Sequence, residues 1–313
     1  MNSRRGAINA KQFHRTDFVR SAPFAGYLFF CTPSYGSTNY EVLKMTVYSS
    51  NGFRISKNGN IYNWKPSINT HELPLIETHS GFKLTNDPLP TAVDLRNFCS
   101  PIENQGQIGS CTGHALVGAM EFLENKLKID ETNNSFSRLS RLFVYYNERA
   151  MEGDVGQDNG AQIADGVTIL ASKGICNESI WPYVPDNFAI APPDTAFQDA
   201  LLRKISAYAR VSQDIQSIKT ALASGYPIVF GFTVFSGFES EETAHTGILN
   251  MPGPTEENLG GHAVLCVGYD DATQRVLVRN SWGADWGMNG YFTMPYQYMS
   301  DPSMASDFWV INR

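Results

Sequence analysis

The 313-residue sequence predicts an α+β protein in which a helical half, about residues 100–210, is followed by an antiparallel β half, about 211–313. Three observations carry that expectation. Leu116, Ala119, Met120, Leu123 and Leu127 recur at three- and four-residue steps, the spacing of a helix with a buried face. From Pro227 onward the apolar residues instead form short runs rich in Val, Ile and Phe, separated by turns. Residues 1 to 88 differ again: they are rich in Asn, Ser, Gly and Tyr and lack a long helical period.

Taken in order, the N-terminal 88 residues read as a small β-rich module. Val42-Leu-Lys-Met-Thr-Val-Tyr48 has strand-like alternation, and Asn51-Gly52 and Asn58-Gly59 are turn signals. Thr85-Asn-Asp-Pro-Leu-Pro-Thr91 reads as a linker into a second unit, residues 89–313. A Gly-rich loop, Asn104-Gln-Gly-Gln-Ile-Gly-Ser-Cys111, enters the first helix, and further helices are expected over 137–150, 162–173 and 214–224. Strands are expected over 227–235, 262–269 and 275–280. The length suits about two globular units.

Composition excludes several functions. The 24 basic residues do not cluster as nucleic-acid binding requires, and the formal charge of −7 suits cationic or neutral partners. No CxxC pair is present, so zinc ribbons and thioredoxin-like chemistry are disfavoured, and no metal or cofactor is expected. Five cysteines are too few for a disulfide scaffold. Lys11, Arg15, Asp17 and Arg20 interrupt the start of the chain, so no conventional secretory signal is read. No apolar run is long enough for a transmembrane helix. Cytoplasmic synthesis without membrane association is the default expectation.

The chemistry centres on Cys111, which stands where the Gly-rich loop enters a helix. Backbone N–H groups at a helix N-terminus stabilise an anion and lower a thiol pKa, and the thiolate is the reactive form. Taken alone, such a cysteine is more often a small buried cap. Three partners favour the nucleophile. Gln105, in the same loop, can donate its amide with the Cys111 N–H to a developing oxyanion. Gly260-Gly-His262-Ala-Val places an imidazole at the start of an apolar strand. Asn280-Ser-Trp282-Gly supplies an amide to orient that imidazole and an indole to shield the hydrogen bond.

The loop, the Gly-Gly-His-Ala strand and the Asn-Ser-Trp-Gly…Trp-Gly…Asn-Gly-Tyr block resemble the papain and cathepsin family of cysteine peptidases, over roughly residues 91–295. The resemblance implies two subdomains with a cleft between them, helical on one side and barrel-like on the other. It implies Cys111 as nucleophile, His262 as general base and acid, Asn280 as orienter and Gln105 as oxyanion donor. It places Trp282 beside the leaving-group side. Asn159 and Gly160 resemble the edge that pairs with substrate backbone, with Ala161 replacing the last glycine of that motif, and Gly261 stands beside the catalytic histidine. Ile108 and Thr112 depart from the animal and plant pattern and look closer to the microbial branch.

By the same resemblance residues 1–88 are a prosegment, an intramolecular inhibitor removed by cleavage near 84–91. Peptides or proteins are the expected substrates of a monomeric enzyme, and lysosomal or secreted placement is the family analogy. Two alternatives stay open: a papain-like acyltransferase with the same triad, and an inactive peptide-binding homologue. His114 is expected to be structural, His245 to sit in an exposed loop, and Glu239, Glu241, Glu242, Glu256 and Glu257 to be solvated. Bordering the cleft, those acids can favour basic substrate groups. Cys99 and Cys176 are possible disulfide partners, Cys266 is a core thiol, and Cys31 has no assigned role.

Overall fold

A computed structural model describes residues 28–30, 46–48, 54–56, 59–127 and 137–313. Three short strands, β1 (Leu28–Phe30), β2 (Thr46–Tyr48) and β3 (Arg54–Ile55), form a small antiparallel sheet in the order β1-β2-β3. Positions 42–45 of the alternating run, and Cys31, lie outside the described residues. After β4 (Ala92–Asp94) come α1 (Cys111–Leu127), α2 (Arg141–Glu152), α3 (Ile163–Ser172) and α4 (Asp194–Ala200). Then follow β5 (Ala207–Arg210), α5 (Ile215–Ala223), β6 (Ile228–Phe235) and α6 (Glu241–Thr246). The chain ends with β7 (Asn258–Asp270), β8 (Arg275–Arg279), β9 (Tyr291–Pro295), α7 (Tyr296–Ser300) and β10 (Ala305–Asn312).

The main sheet is antiparallel, ordered β5-β10-β6-β7-β8-β9, with β4 paired to the far end of β7. The α+β expectation holds, with helices gathered before the sheet. Two details differ from the simple division: β4 and β5 are strands within or before the helical half, and α6 and α7, beside the expected α5, punctuate the β half. Both strands gain their hydrogen bonds from the chain far downstream, β4 from β7 and β5 from β10, and a local periodicity carries no such information.

Helix ends follow local chemistry. Ser140 caps α2 by accepting the Phe143 N–H, and Gly153 closes it in the left-handed region at φ 76°. Asp214 caps α5 through the Ser217 N–H. The acidic loop expected over 239–258 contains α6, capped by Ser240 on the Thr243 N–H.

One apolar cluster packs α1 against β6 and β7 through Leu116, Met120, Val229, Ala263 and Leu265, while a second fills the sheet's other face around Phe230, Phe232 and Phe292. Between α1, α2 and the end of β8 lies a buried polar network. Glu121 accepts from Arg141 at 2.8 Å, Ser100 Oγ at 2.6 Å and the Leu139 N–H at 3.0 Å, and Arg279 donates to Ser100 and Pro101. Buried charges persist only when paired and fully hydrogen-bonded. This network ties the segment before the Cys111 loop to the strand that delivers Asn280.

Cys99, Cys111, Cys176 and Cys266 are free thiols, which corrects the Cys99–Cys176 pairing. Cys99 packs beside α1, while Cys176 is buried in a separate cluster with Phe143, Ala196 and Ala200. Cys266 is a core thiol, as expected. Among the described residues no helix is long and apolar enough to cross a membrane.

Candidate active site

Cys111 is the first residue of α1 and is fully buried. The loop before it is held in shape from three directions. Asp158 accepts the Gly109 N–H on both carboxylate oxygens at 3.0 Å, and Tyr145 OH donates to the same carboxylate. Tyr183 OH donates to the Gln105 carbonyl at 2.8 Å, which leaves it as the acceptor for Ser110 Oγ at 2.6 Å. Thr112, next to the nucleophile candidate, donates to the buried Glu148 at 2.7 Å. Burial pushes the Glu148 carboxyl up to about 8, so it is largely protonated at neutral pH.

The sheet brings the other residues in. β7 and β8 pair Leu265 with Arg279, so Asn280 lies opposite Val264. His262 is two residues along β7 and points to the same face. His262 Nε2 lies 2.9 Å from Asn280 Oδ1, which also accepts the Ser281 N–H at 2.8 Å. A backbone N–H only donates, so that atom is the amide oxygen and Nε2 carries the ring proton. His262 Nδ1 has no hydrogen-bond partner among the described residues. The Ala263 and Thr112 N–H groups both favour the charged form of the Cys111 sulfur. The Trp282 indole stacks on His262 at 5.3 Å and 28°, covering the hydrogen bond to Asn280.

Gln105 is buried beside this group. Its backbone N–H donates to Ser281 O at 2.9 Å, its Oε1 accepts from Ser281 Oγ at 2.6 Å, and its Nε2 donates to Ile108 O at 3.0 Å. One hydrogen of that amide therefore remains for another acceptor. Ser281 was given no role at the sequence level, yet it holds both Asn280 and Gln105. Its place between Asn280 and Trp282 was the available signal.

Residues 59–67 run across the site. The Trp64 N–H donates to Gly261 O at 3.0 Å and the Lys65 N–H to Ala161 O at 3.1 Å. Both bridges, Asn63 with Gly261 and Lys65 with Gln162, are parallel. Asn63 Nδ2 donates to Asp158 O at 2.9 Å, and the Tyr62 ring lies 6.0 Å from both His262 and Trp282. The backbones approach so closely that a Cβ at Gly160 would fall 1.8 Å from Asn63 O, and one at Gly261 2.6 Å from Trp64 O. Gly160, Gly261 and Trp282 therefore all lie against this segment. The Asn159 side chain does not: it donates to Asp154 and Gln157 on its own loop.

Under this cover the pair is uncharged. Burial pushes the Cys111 thiol up to about 12, with the Ala263 and Thr112 N–H groups opposing it, and pushes His262 down to about 4 against the Asn280 hydrogen bond. The lowered thiol pKa expected at a helix N-terminus is thus reversed here, because loss of water outweighs the helix field.

His114 has the structural role expected: its Nδ1 lies 3.0 Å from Ser110 O and its ring packs edge-on against Tyr183, and burial pushes it down to about 3. His245 is exposed on α6. The acidic loop is only partly solvated. Glu239 is buried and accepts from Tyr62 OH, and Glu256 accepts the Gly237 and Gly253 N–H groups, whereas Glu241 and Glu242 are exposed.

The sequence profile of the papain family cysteine proteases matches residues 89–309. An uncharacterized peptidase C1-like protein of Acanthamoeba polyphaga mimivirus is 42% identical over 253 residues, covering 75% of this chain and 80% of that protein. The crystal structure of xylellain, a cysteine protease from Xylella fastidiosa, superposes with a TM-score of 0.70 at 38% identity, covering 80% of this chain and 95% of that one. Digestive procathepsin L 3 of Tenebrio molitor shares the fold at 21% identity and a TM-score of 0.58, covering 74% of this chain and 73% of that one. With a thiol, an imidazole and an amide gathered between helix and sheet as described, the chain belongs to the papain family of cysteine proteases.

Proposed function

We propose that this chain hydrolyses peptide bonds through a thioester on Cys111 and is made as a zymogen. The observation that carries the reading is His262, held by Asn280 through Nε2–H with its Nδ1 lone pair left for the Cys111 proton. In the reaction that proton passes to Nδ1 and the thiolate attacks the scissile carbonyl. The oxyanion is met by the Cys111 N–H, which has no intrahelical acceptor at a helix start, and by the remaining Gln105 amide hydrogen. His262 then protonates the leaving amine as the C–N bond breaks. Water next gives a proton to His262 and attacks the thioester, releasing the acid and restoring the thiol.

Residues 59–67 support the zymogen reading, because Trp64 and Lys65 use the Gly261 and Ala161 carbonyls that an extended substrate needs. The unit ending near residue 88 then serves as a removable cover, with cleavage in 84–91. Gly160, Gly261 and Trp282 are the proposed substrate contacts. Asn159 contributes backbone only, since its side chain turns to its own loop.

The test is purified full-length chain incubated with a fluorogenic dipeptide amide under acidic conditions. Turnover is expected to rise as mass is lost from the N-terminus, and Cys111→Ala is expected to abolish it. Undiminished turnover by Cys111→Ala ends the peptidase reading, and turnover without loss of mass ends the zymogen reading. An epoxide thiol inhibitor is expected to label the processed chain at Cys111.

A further inference from the structure

Glu239, an acidic side chain of the loop after β6, meets the covering segment in the cleft. It closes the short 3-10 turn Ser236–Glu239 that follows β6, is only 4% exposed, and its Oε1 accepts Tyr62 OH at 2.6 Å and Asn60 Nδ2 at 3.3 Å. Both donors belong to the segment that crosses the cleft. Among the described residues no lysine or arginine pairs with this carboxylate. A cavity of about 360 Å³ opens beside it, lined by Asn60, Asn104, Gln107, Glu239, Trp282 and Trp286.

The end of the cleft on which this cavity lies follows from the chemistry. The segment runs from Ala161, past Gly261, to Trp282 and Glu239. The imidazole that must protonate the leaving amine is stacked on Trp282, so the chain beyond the scissile bond lies toward Trp282 and Glu239. When the segment departs, the carboxylate loses both donors and is left on the wall of the cavity beside Trp282 and Trp286. A bidentate or charge-assisted donor from a bound chain then takes the place of the two neutral ones.

We propose that Glu239 selects substrates whose residue immediately after the scissile bond is basic, arginine or lysine, the side chain entering the cavity beside Trp282 and Trp286. This rests on the peptidase reading above. Tyr62 and Asn60 hold that position with neutral donors in the covered chain, and a cationic side chain holds it in the substrate.

The experiment uses full-length chain activated by its own processing and internally quenched peptides that differ only after the scissile bond: Arg, Lys, Leu or Glu. A dipeptidyl coumarin amide, with no residue at that position, runs in parallel. The readout is the ratio of kcat/KM for the Arg peptide to that for the Leu peptide within each enzyme, which cancels differences in active fraction. The ratio is expected at about tenfold or more, falling toward one in Glu239→Gln, with Glu239→Lys favouring the Glu peptide. Equal turnover of Arg, Leu and Glu peptides by the unmodified chain overturns the proposal while coumarin release leaves the peptidase reading standing. A ratio unchanged in both variants overturns it also. Release of neither product from any substrate overturns both.

Discussion

His262 and Asn280 meet through a single hydrogen bond of 2.9 Å whose polarity is fixed, because the Ser281 N–H already donates to the same Asn280 oxygen. The amide therefore cannot turn over without breaking two bonds, and the imidazole is confined to the tautomer with its lone pair on Nδ1. Asn280→Ala frees the ring to rotate and to exchange tautomers. Turnover of a dipeptidyl amide is expected to fall about a hundredfold, carried by kcat with KM little changed. A loss confined to KM would show instead that Asn280 acts on substrate binding.

Ser281 links the two halves of the site. Its hydroxyl holds Gln105 Oε1 at 2.6 Å, which aims the amide nitrogen rather than the oxygen toward the neighbourhood of Cys111. Gln105→Ala is expected to lower kcat about a hundredfold by removing an oxyanion donor, and Ser281→Ala to lower it less, roughly tenfold, by letting the amide reorient. In the double variant the losses are expected to be strongly non-additive, since Ser281 acts here through Gln105. Additive losses, read from single-turnover acylation rates, would separate the two residues.

The proposed catalytic group was legible in the sequence because each member must be a particular chemical type. A thiol, an imidazole and amides suit those roles, and they stand in motifs around Cys111, His262 and Asn280. The four longer helices, α1, α2, α3 and α5, were legible from apolar spacing, with starts displaced by one to four residues where Ser140 and Asp214 cap α2 and α5. The short α4, α6 and α7 offer too few turns for a period to show. The cover over the cleft was not legible in its contacts. Trp64 and Lys65 reach Gly261 and Ala161 through backbone N–H groups that every residue except proline carries. Glu239 was misread for a related reason: its burial comes from Tyr62 and Asn60, some 180 positions earlier in the chain. A charge run by itself reads as solvent-facing.

Trp64 anchors the cover. It is 7% exposed, packs into the cluster that contains Cys111 and Ala115, and donates its indole N–H to Asp307 at 3.3 Å. Gly231 leaves the room for it, since a Cβ there would lie 2.0 Å from the indole. Trp64→Ala removes burial worth about 3 kcal/mol or more from a contact between the segment and the cleft. In full-length chain, alkylation at Cys111, followed by peptide mass analysis, is expected to quicken by about a hundredfold. An unchanged rate would mean that the remaining contacts suffice to hold the segment down.

Acid should lift the same cover. Covered His262 has its pKa pushed down to about 4, whereas a solvated imidazole titrates near 6.5. Between these values the uncovered state binds a proton that the covered state refuses, so the covered state loses stability as pH falls. The loss begins below about 6.5 and totals at most roughly 3 kcal/mol once pH reaches 4, by the linkage of about 1.4 kcal/mol per pKa unit. That figure is a ceiling, since Trp282 and Phe238 stay on the ring after the segment leaves. Above pH 7 this contribution is flat, because both states are neutral. Alkylation of Cys111 in unprocessed chain, corrected for the intrinsic pH dependence of the reagent with a free thiol, is therefore expected to rise from pH 6.5 toward pH 4. His262→Asn removes the titrating group and is expected to flatten that rise. A corrected rate that does not change across the interval, or one that climbs equally in His262→Asn, would assign acid opening to another group.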